Sequence, residues 1–208
     1  MISLEYLTID EIMNILPEEQ INHCRHVELL VEKLVHWLPN SKSGHYLYFS
    51  KSAYYHDIGK VFISSDIIDK AGLLTQEEYD MIKCHTVFAK ELLTQKSKSI
   101  MGSAEKAWFN LLIDAAFYHH EWWNGKGYPS GLCGKEIPYV ARVTAICDAY
   151  EAMISNRVYR KAYSHSYACE EIRKGLGTQF DPELVKIFLE HESELECLFR
   201  NILKQSLN

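Results

Sequence analysis

Residues 17–39 read PEEQINHCRHVELLVEKLVHWLP, and this stretch decides the fold class. Ile21, Cys24, Val27, Leu30, Val31, Leu34 and Leu38 recur three or four positions apart. That spacing lays them along one face of a 3.6-residue helix, with charged side chains opposite. Pro17 stands where a helix tolerates its missing N–H, and Pro39 marks the end. The helix also carries His23, with Glu19 four residues earlier on the same face.

The same period dominates outward from this stretch. Helices are expected from about Ser43 to His56, stopping at Gly59, and from Thr75 through about Leu93. The second opens on the capping box Thr75-Gln-Glu-Glu78. Further helices are expected over about Ser103–His120, from Pro138 through about Ile154, over Ser166–Leu176, and from the cap Asp181-Pro182 to about Leu203. No stretch shows convincing strand alternation, so the expected class is all-α. Residues 1–16 read as an N-terminal arm or short helix, and 17–208 as one domain, without repeats or linkers.

With 22 basic and 28 acidic side chains, the net charge is −6, which argues against a general nucleic-acid-binding surface. It leaves room for a small phosphorylated ligand held by a local cluster of cations. Six cysteines are scattered without a Cys-x-x-Cys pair. No run reaches membrane-spanning length, and no basic leader precedes an apolar one. The expectation is a cytoplasmic protein with reduced, buried thiols.

Ten histidines make position decisive. His56-Asp57 close the second helix, followed by Ile58-Gly59-Lys60. His85 lies inside the helix opened by Thr75. His119-His120 run into the loop Gly125-Lys-Gly127-Tyr128-Pro129-Ser-Gly131, whose glycines and proline give it a defined shape. Asp148 lies on the helix opened by Pro138. Vicinal side chains on a helix point about 100° apart, so such neighbours either wedge one ion or serve two side by side. Five histidines and two aspartates from five helices make a two-metal site in a helical bundle. Two metals about 3.5–4 Å apart suit phosphoester hydrolysis, by clamping phosphate oxygens and activating a water as hydroxide.

These blocks, together with Lys70-Ala-Gly72, Ile137-Pro138, Arg142, Asn156-Arg157, Arg160 and Gly177–Pro182, resemble the HD-GYP branch of the HD phosphohydrolase superfamily over roughly residues 17–190. The resemblance implies an HD-domain helical bundle with additional C-terminal helices. It implies a cyclic-di-GMP phosphodiesterase giving pGpG or GMP, dependent on two divalent ions, iron or manganese. His23, His56, Asp57 and Asp148 would hold one ion, with Asp57 bridging to a second held by His85, His119 and His120. Glu19 stands where some members hold a third. Lys60, Arg157 and Arg160 match basic positions against the ligand phosphates, and Tyr128 matches the loop tyrosine that contacts the ligand. A homodimer fits the family, although no apolar stripe demands one. Hydrolysis of another cyclic dinucleotide, and binding without catalysis, stand as alternatives.

Three positions depart from the family pattern. Asn124 replaces a frequent aspartate before the loop, Glu151 replaces a usual second aspartate after Asp148, and His26 replaces a common arginine after His23. Glu121 reads as a support for a ligating histidine or as a helix-end cap. His26 reads as structural or as a support behind a ligand rather than as a ligand itself, and His36, His45, His165 and His191 as surface residues. Trp108, Trp122 and Trp123 read as packing, with one of the last two lining a base pocket.

Overall fold

The computed structural model describes residues 4–39, 41, 46–156 and 161–205, and within them the chain is all-helical. After a 3-10 turn at Leu4–Tyr6 come α1 (Ile9–Met13), α2 (Glu18–Trp37) and α3 (Phe49–Tyr54). A 3-10 turn at Ile58–Phe62 leads to α4 (Ser65–Ile68), α5 (Gln76–Lys83), α6 (His85–Ser97) and α7 (Ser103–Tyr118). Then follow α8 (Tyr139–Ile154), α9 (His165–Lys174), α10 (Pro182–Glu190) and α11 (Glu192–Gln205). Among the described residues the only β pairings are two isolated bridges, Asn124 with Cys133 and Leu176 with Phe180. No described helix is long and apolar enough to cross a membrane.

The expected helix from Thr75 through Leu93 is broken at Cys84. His85 Nδ1 donates to the Ile82 carbonyl at 2.6 Å and Thr86 Oγ1 to the Lys83 carbonyl at 3.0 Å. Side chains thus take acceptors that a continuous helix would use, and the chain turns there. The break sets the first residue of α6, His85, facing inward. His191 divides the last helix in the same manner, its Nδ1 bonded to the Ile187 carbonyl at 2.9 Å. Residues 42–45, where the second helix was expected to begin, lie outside the described residues, and α3 covers its later half.

Two apolar clusters fill the interior. The larger joins Val27, Leu30, Val31 and Leu34 of α2 to Val143, Ile146 and Tyr150 of α8 and to Ile172, Leu184 and Phe188. The smaller joins Ile12 and Met13 of α1 to Ile21, Tyr55, Ile58, Leu93 and Leu112. His23 lies between Ile21 and Cys24 of the smaller cluster, just before Val27 of the larger; Asp57 precedes Ile58 of the smaller, and Asp148 follows Cys147 of the larger. Polar side chains at this seam are therefore excluded from water by packing on both sides.

The capping box opening α5 is complete, with Glu78 N on Thr75 Oγ1 and Thr75 N on Glu78 Oε2. Thr75→Ala should cost about 1 kcal/mol, lowering the melting temperature by roughly 2–4 °C. An unchanged thermal melt would show that the box contributes nothing to the fold.

The cysteine expectation holds for Cys24, Cys147 and Cys169, which are buried. Cys133 and Cys197 are exposed, and all six thiols are free. Two of the four surface histidines are instead built into the packing. His165 Nδ1 pairs with the Tyr150 hydroxyl at 2.7 Å, and His191 stacks on Trp37 at 4.2 Å. His36 is exposed, and His45 lies outside the described residues.

Candidate metal centre

Seven donors from α2, the turn after α3, α6, the end of α7 and α8 meet at the seam between the two cores. His23, His56 and Asp148 form one cluster, and His85, His119 and His120 another, the donor atoms of each lying within 4.8 Å of one another. Asp57 spans them. Its Oδ1 lies 3.3 Å from His85 Nε2, and its Oδ2 lies 3.3 Å from His56 Nε2 and 3.7 Å from His23 Nε2. Asp148 Oδ1 closes the first cluster at 3.1 Å from His23 Nε2 and 3.7 Å from His56 Nε2. Cys24 adds a buried thiol beside His56 and Asp57.

The rings are held by their other edges. His56 Nδ1 donates to the Ala53 carbonyl at 2.7 Å, His85 Nδ1 to Ile82, and His119 Nδ1 to the Ala115 and Ala116 carbonyls at 3.1 Å each. A neutral imidazole that donates through Nδ1 keeps its lone pair on Nε2. Burial holds His85 down at about 4 and His120 at about 3, and pushes His119 well below its ordinary value, so these three are neutral. The Nε2 atoms of His85 and His119 face each other at 3.4 Å.

The other half favours positive charge. Burial disfavours the His56 cation, but Asp57 and Asp148 outweigh it and raise the imidazole to about 10. Both carboxyls stay well below the usual range despite burial, Asp57 through Lys60 and His56, Asp148 through His23 and His56. His56 Nε2 is buried with no partner in hydrogen-bonding geometry. Facing lone pairs, an orphaned ring nitrogen and two ionised carboxylates are what a divalent-cation site requires, and this imidazole–carboxylate donor set fits divalent metal ions.

Glu19 is exposed on the rim of the adjoining cleft and belongs to none of the three donor clusters. Lys60 lies against Asp57 Oδ2 at 2.6 Å and Gln20 Oε1 at 3.1 Å. Burial opposes its charge, but Asp57 raises its pKa. Gln20, buried one turn before His23, escapes a sequence reading because glutamine there reads as helix surface. Arg157 and Arg160 lie outside the described residues.

The cleft above the donors measures about 930 Å³, at the upper end for small-molecule sites. Its walls include Tyr79, Lys83, Trp122, Lys126 and Tyr128. Trp122, partly exposed there, is thus the tryptophan beside the cleft, while Trp123 packs by Arg142. Tyr128 stacks on His120 with ring centres 4.8 Å apart, and burial raises its phenol's pKa, keeping it a donor.

The loop carrying Tyr128 is held from beneath by Glu121. Its Oε1 accepts from Ser130 N at 2.6 Å and Gly131 N at 3.1 Å, and its Oε2 from Leu132 N at 3.1 Å. Glu121 therefore supports the loop, rather than a histidine or a helix end. Asn124 Oδ1 accepts from Lys126 N at 3.0 Å, a turn that an aspartate would make equally well. Gly127 lies so close to the backbone of His120–Trp122 that any Cβ would collide with it.

The HD domain family model matches residues 8–184. A probable cyclic di-GMP phosphodiesterase of Vibrio cholerae is 41% identical over 69% of this chain and 32% of its own length. A 3'3'-cGAMP-specific phosphodiesterase of the same organism is 33% identical over 83% of this chain and 31% of its own. The chain thus spans about a third of the length of the curated relatives it matches. The HD domain of the Listeria monocytogenes phosphodiesterase PgpH, solved in complex with cyclic-di-AMP, superposes with a TM-score of 0.63. It shares 18% identity, over 90% of this chain and 96% of that one, a likeness of fold.

Proposed function

The chain belongs to the HD domain family, and on that premise we propose that it is a metal-dependent phosphodiesterase that opens cyclic di-GMP to pGpG or GMP. The observation that carries this reading is Asp57, whose two oxygens face two separate histidine clusters on the floor of the cleft. His23, His56 and Asp148 would hold one ion and His85, His119 and His120 the other, with Asp57 shared. Glu19, exposed at the rim, joins this reading as a ligand of a third ion on its sequence match alone. Iron or manganese suits such imidazole–carboxylate donors. When bound, the two ions supply charge that polarises the phosphodiester and acidifies water.

The remaining steps belong to the side chains. Lys60, at the cleft wall beside Asp57, would bind a phosphate oxygen and stabilise charge that develops there. The protonated phenol of Tyr128, on a loop fixed by Glu121, donates to phosphate or packs on a guanine. Arg157 and Arg160 join this reading as phosphate ligands on their sequence match alone. On it the protein acts in the bacterial cytoplasm on a soluble dinucleotide, not on a nucleic-acid polymer or a membrane.

The cGAMP-specific relative, which aligns over more of this chain, favours a second reading in which the substrate is the mixed dinucleotide. Protein loaded with Mn(II) or Fe(II) should be incubated separately with cyclic di-GMP and 3'3'-cGAMP, with products separated by chromatography. Faster opening of cyclic di-GMP is expected. Faster opening of cGAMP selects the second reading, and no turnover of either by metal-bound protein overturns both.

A further inference from the structure

Asp148 and Glu151 stand one turn apart on α8 and face opposite edges of one imidazole. Asp148 Oδ1 lies 3.1 Å from His23 Nε2, while Glu151 Oε2 takes His23 Nδ1 in a short hydrogen bond. The other Glu151 oxygen, Oε1, accepts from His26 Nδ1 at 3.0 Å and from Ser155 Oγ at 2.5 Å. Glu151 is 1% exposed. Ionised carboxylates are seldom buried without such partners, because burial costs several kcal/mol per ion. His23 and His26 are themselves one turn apart on α2, so two turns of α2 and two of α8 are joined through one carboxylate.

Both His26 and Glu151 are positions where this sequence departs from the pattern it resembles, which has arginine and aspartate. His26 is shorter than arginine and Glu151 longer than aspartate, so the two changes run in opposite directions. We propose that His26 and Glu151 are one exchanged pair that positions His23. Glu151 fixes the Nδ1–H tautomer and the ring plane, which aims the Nε2 lone pair at the centre, and His26 fixes Glu151. Neither touches the substrate cleft's reacting end; both are positioning residues that act through His23. The inference rests on reading His23 as a metal ligand, although its first readout needs no metal.

Long-range 1H–15N correlation of the histidine rings in metal-free protein should show His23 protonated at Nδ1. In Glu151→Gln the proton should redistribute toward Nε2. Mn(II) affinity, read from the free-ion electron paramagnetic resonance signal, should fall on the order of 10–100-fold. His26→Arg and Glu151→Asp should each weaken Mn(II) binding alone, and the double variant should return to within a few-fold of wild type. A wild-type His23 whose Nδ1 carries no proton would overturn the proposal even if Glu151→Gln failed to fold. Double-variant binding no better than the weaker single would also overturn it. Absence of cyclic di-GMP turnover would instead strike the proposed activity and leave the tautomer and affinity results standing.

Discussion

Asp57→Ala is expected to remove metal binding and turnover together. No other described side chain presents one oxygen to the His85 cluster and the second to His56 and His23. Without it each cluster retains three donors, but the two lose their common ligand and the local negative charge falls by one. Charge stabilisation by paired ions supplies several kcal/mol of the barrier reduction, so turnover should drop by roughly three orders of magnitude or more. The fold should persist. Lys60 loses its 2.6 Å partner, but its side chain is 18% exposed and borders the cleft, where water can solvate the ammonium. Elemental analysis, far-UV circular dichroism and a dinucleotide assay on the same sample separate these effects. Activity within tenfold of wild type would remove Asp57 from the centre.

Glu121→Ala should have the largest effect outside the donors. The Glu121 carboxylate is 2% exposed and satisfies three consecutive loop N–H groups, those of Ser130, Gly131 and Leu132. Alanine leaves these donors without their acceptor and leaves space where the carboxylate stood. An abandoned buried donor costs about 1–3 kcal/mol. Solvent can reach part of this loop, so the combined cost should be about 2–4 kcal/mol. For a chain of this size that lowers the melting temperature by roughly 5–15 °C. The loop also places Tyr128 against His120, so KM for the dinucleotide should rise more than kcat falls. Glu121→Gln keeps one acceptor oxygen and should recover part of the stability. A melting temperature unchanged in the alanine variant would show that the loop holds its shape unaided.

The helical class and the donor set were legible because each is written in short-range pattern. Apolar spacing places α2, and His56-Asp57, His119-His120 and Asp148 fall at helix ends or on inward faces that period 3.6 identifies. What was not legible depends on where side-chain hydrogen bonds end. The turn at Cys84 follows from His85 and Thr86 competing for the carbonyls of the preceding turn, while propensity favours continuing. Glu121 lies next to a histidine in sequence, yet bonds to backbone nine to eleven residues onward. His165 and His191 read as surface because a polar side chain between polar neighbours, serines for one and glutamates for the other, gives no sign of the ring it will meet. Glu151 read as a departure; only the approach of α2 to α8 reveals that it bonds both His23 and His26.

Under the proposed function, seven side chains form one dinuclear centre. Metal quantification on chelator-stripped protein, re-equilibrated with Mn(II) or Fe(II) under anaerobic conditions and freed of excess ion, tests it most directly. The arrangement predicts at least two equivalents per chain in the wild type, with both reduced in Asp57→Ala. A folded wild-type protein that retains none, or an Asp57→Ala variant that retains both, would contradict it.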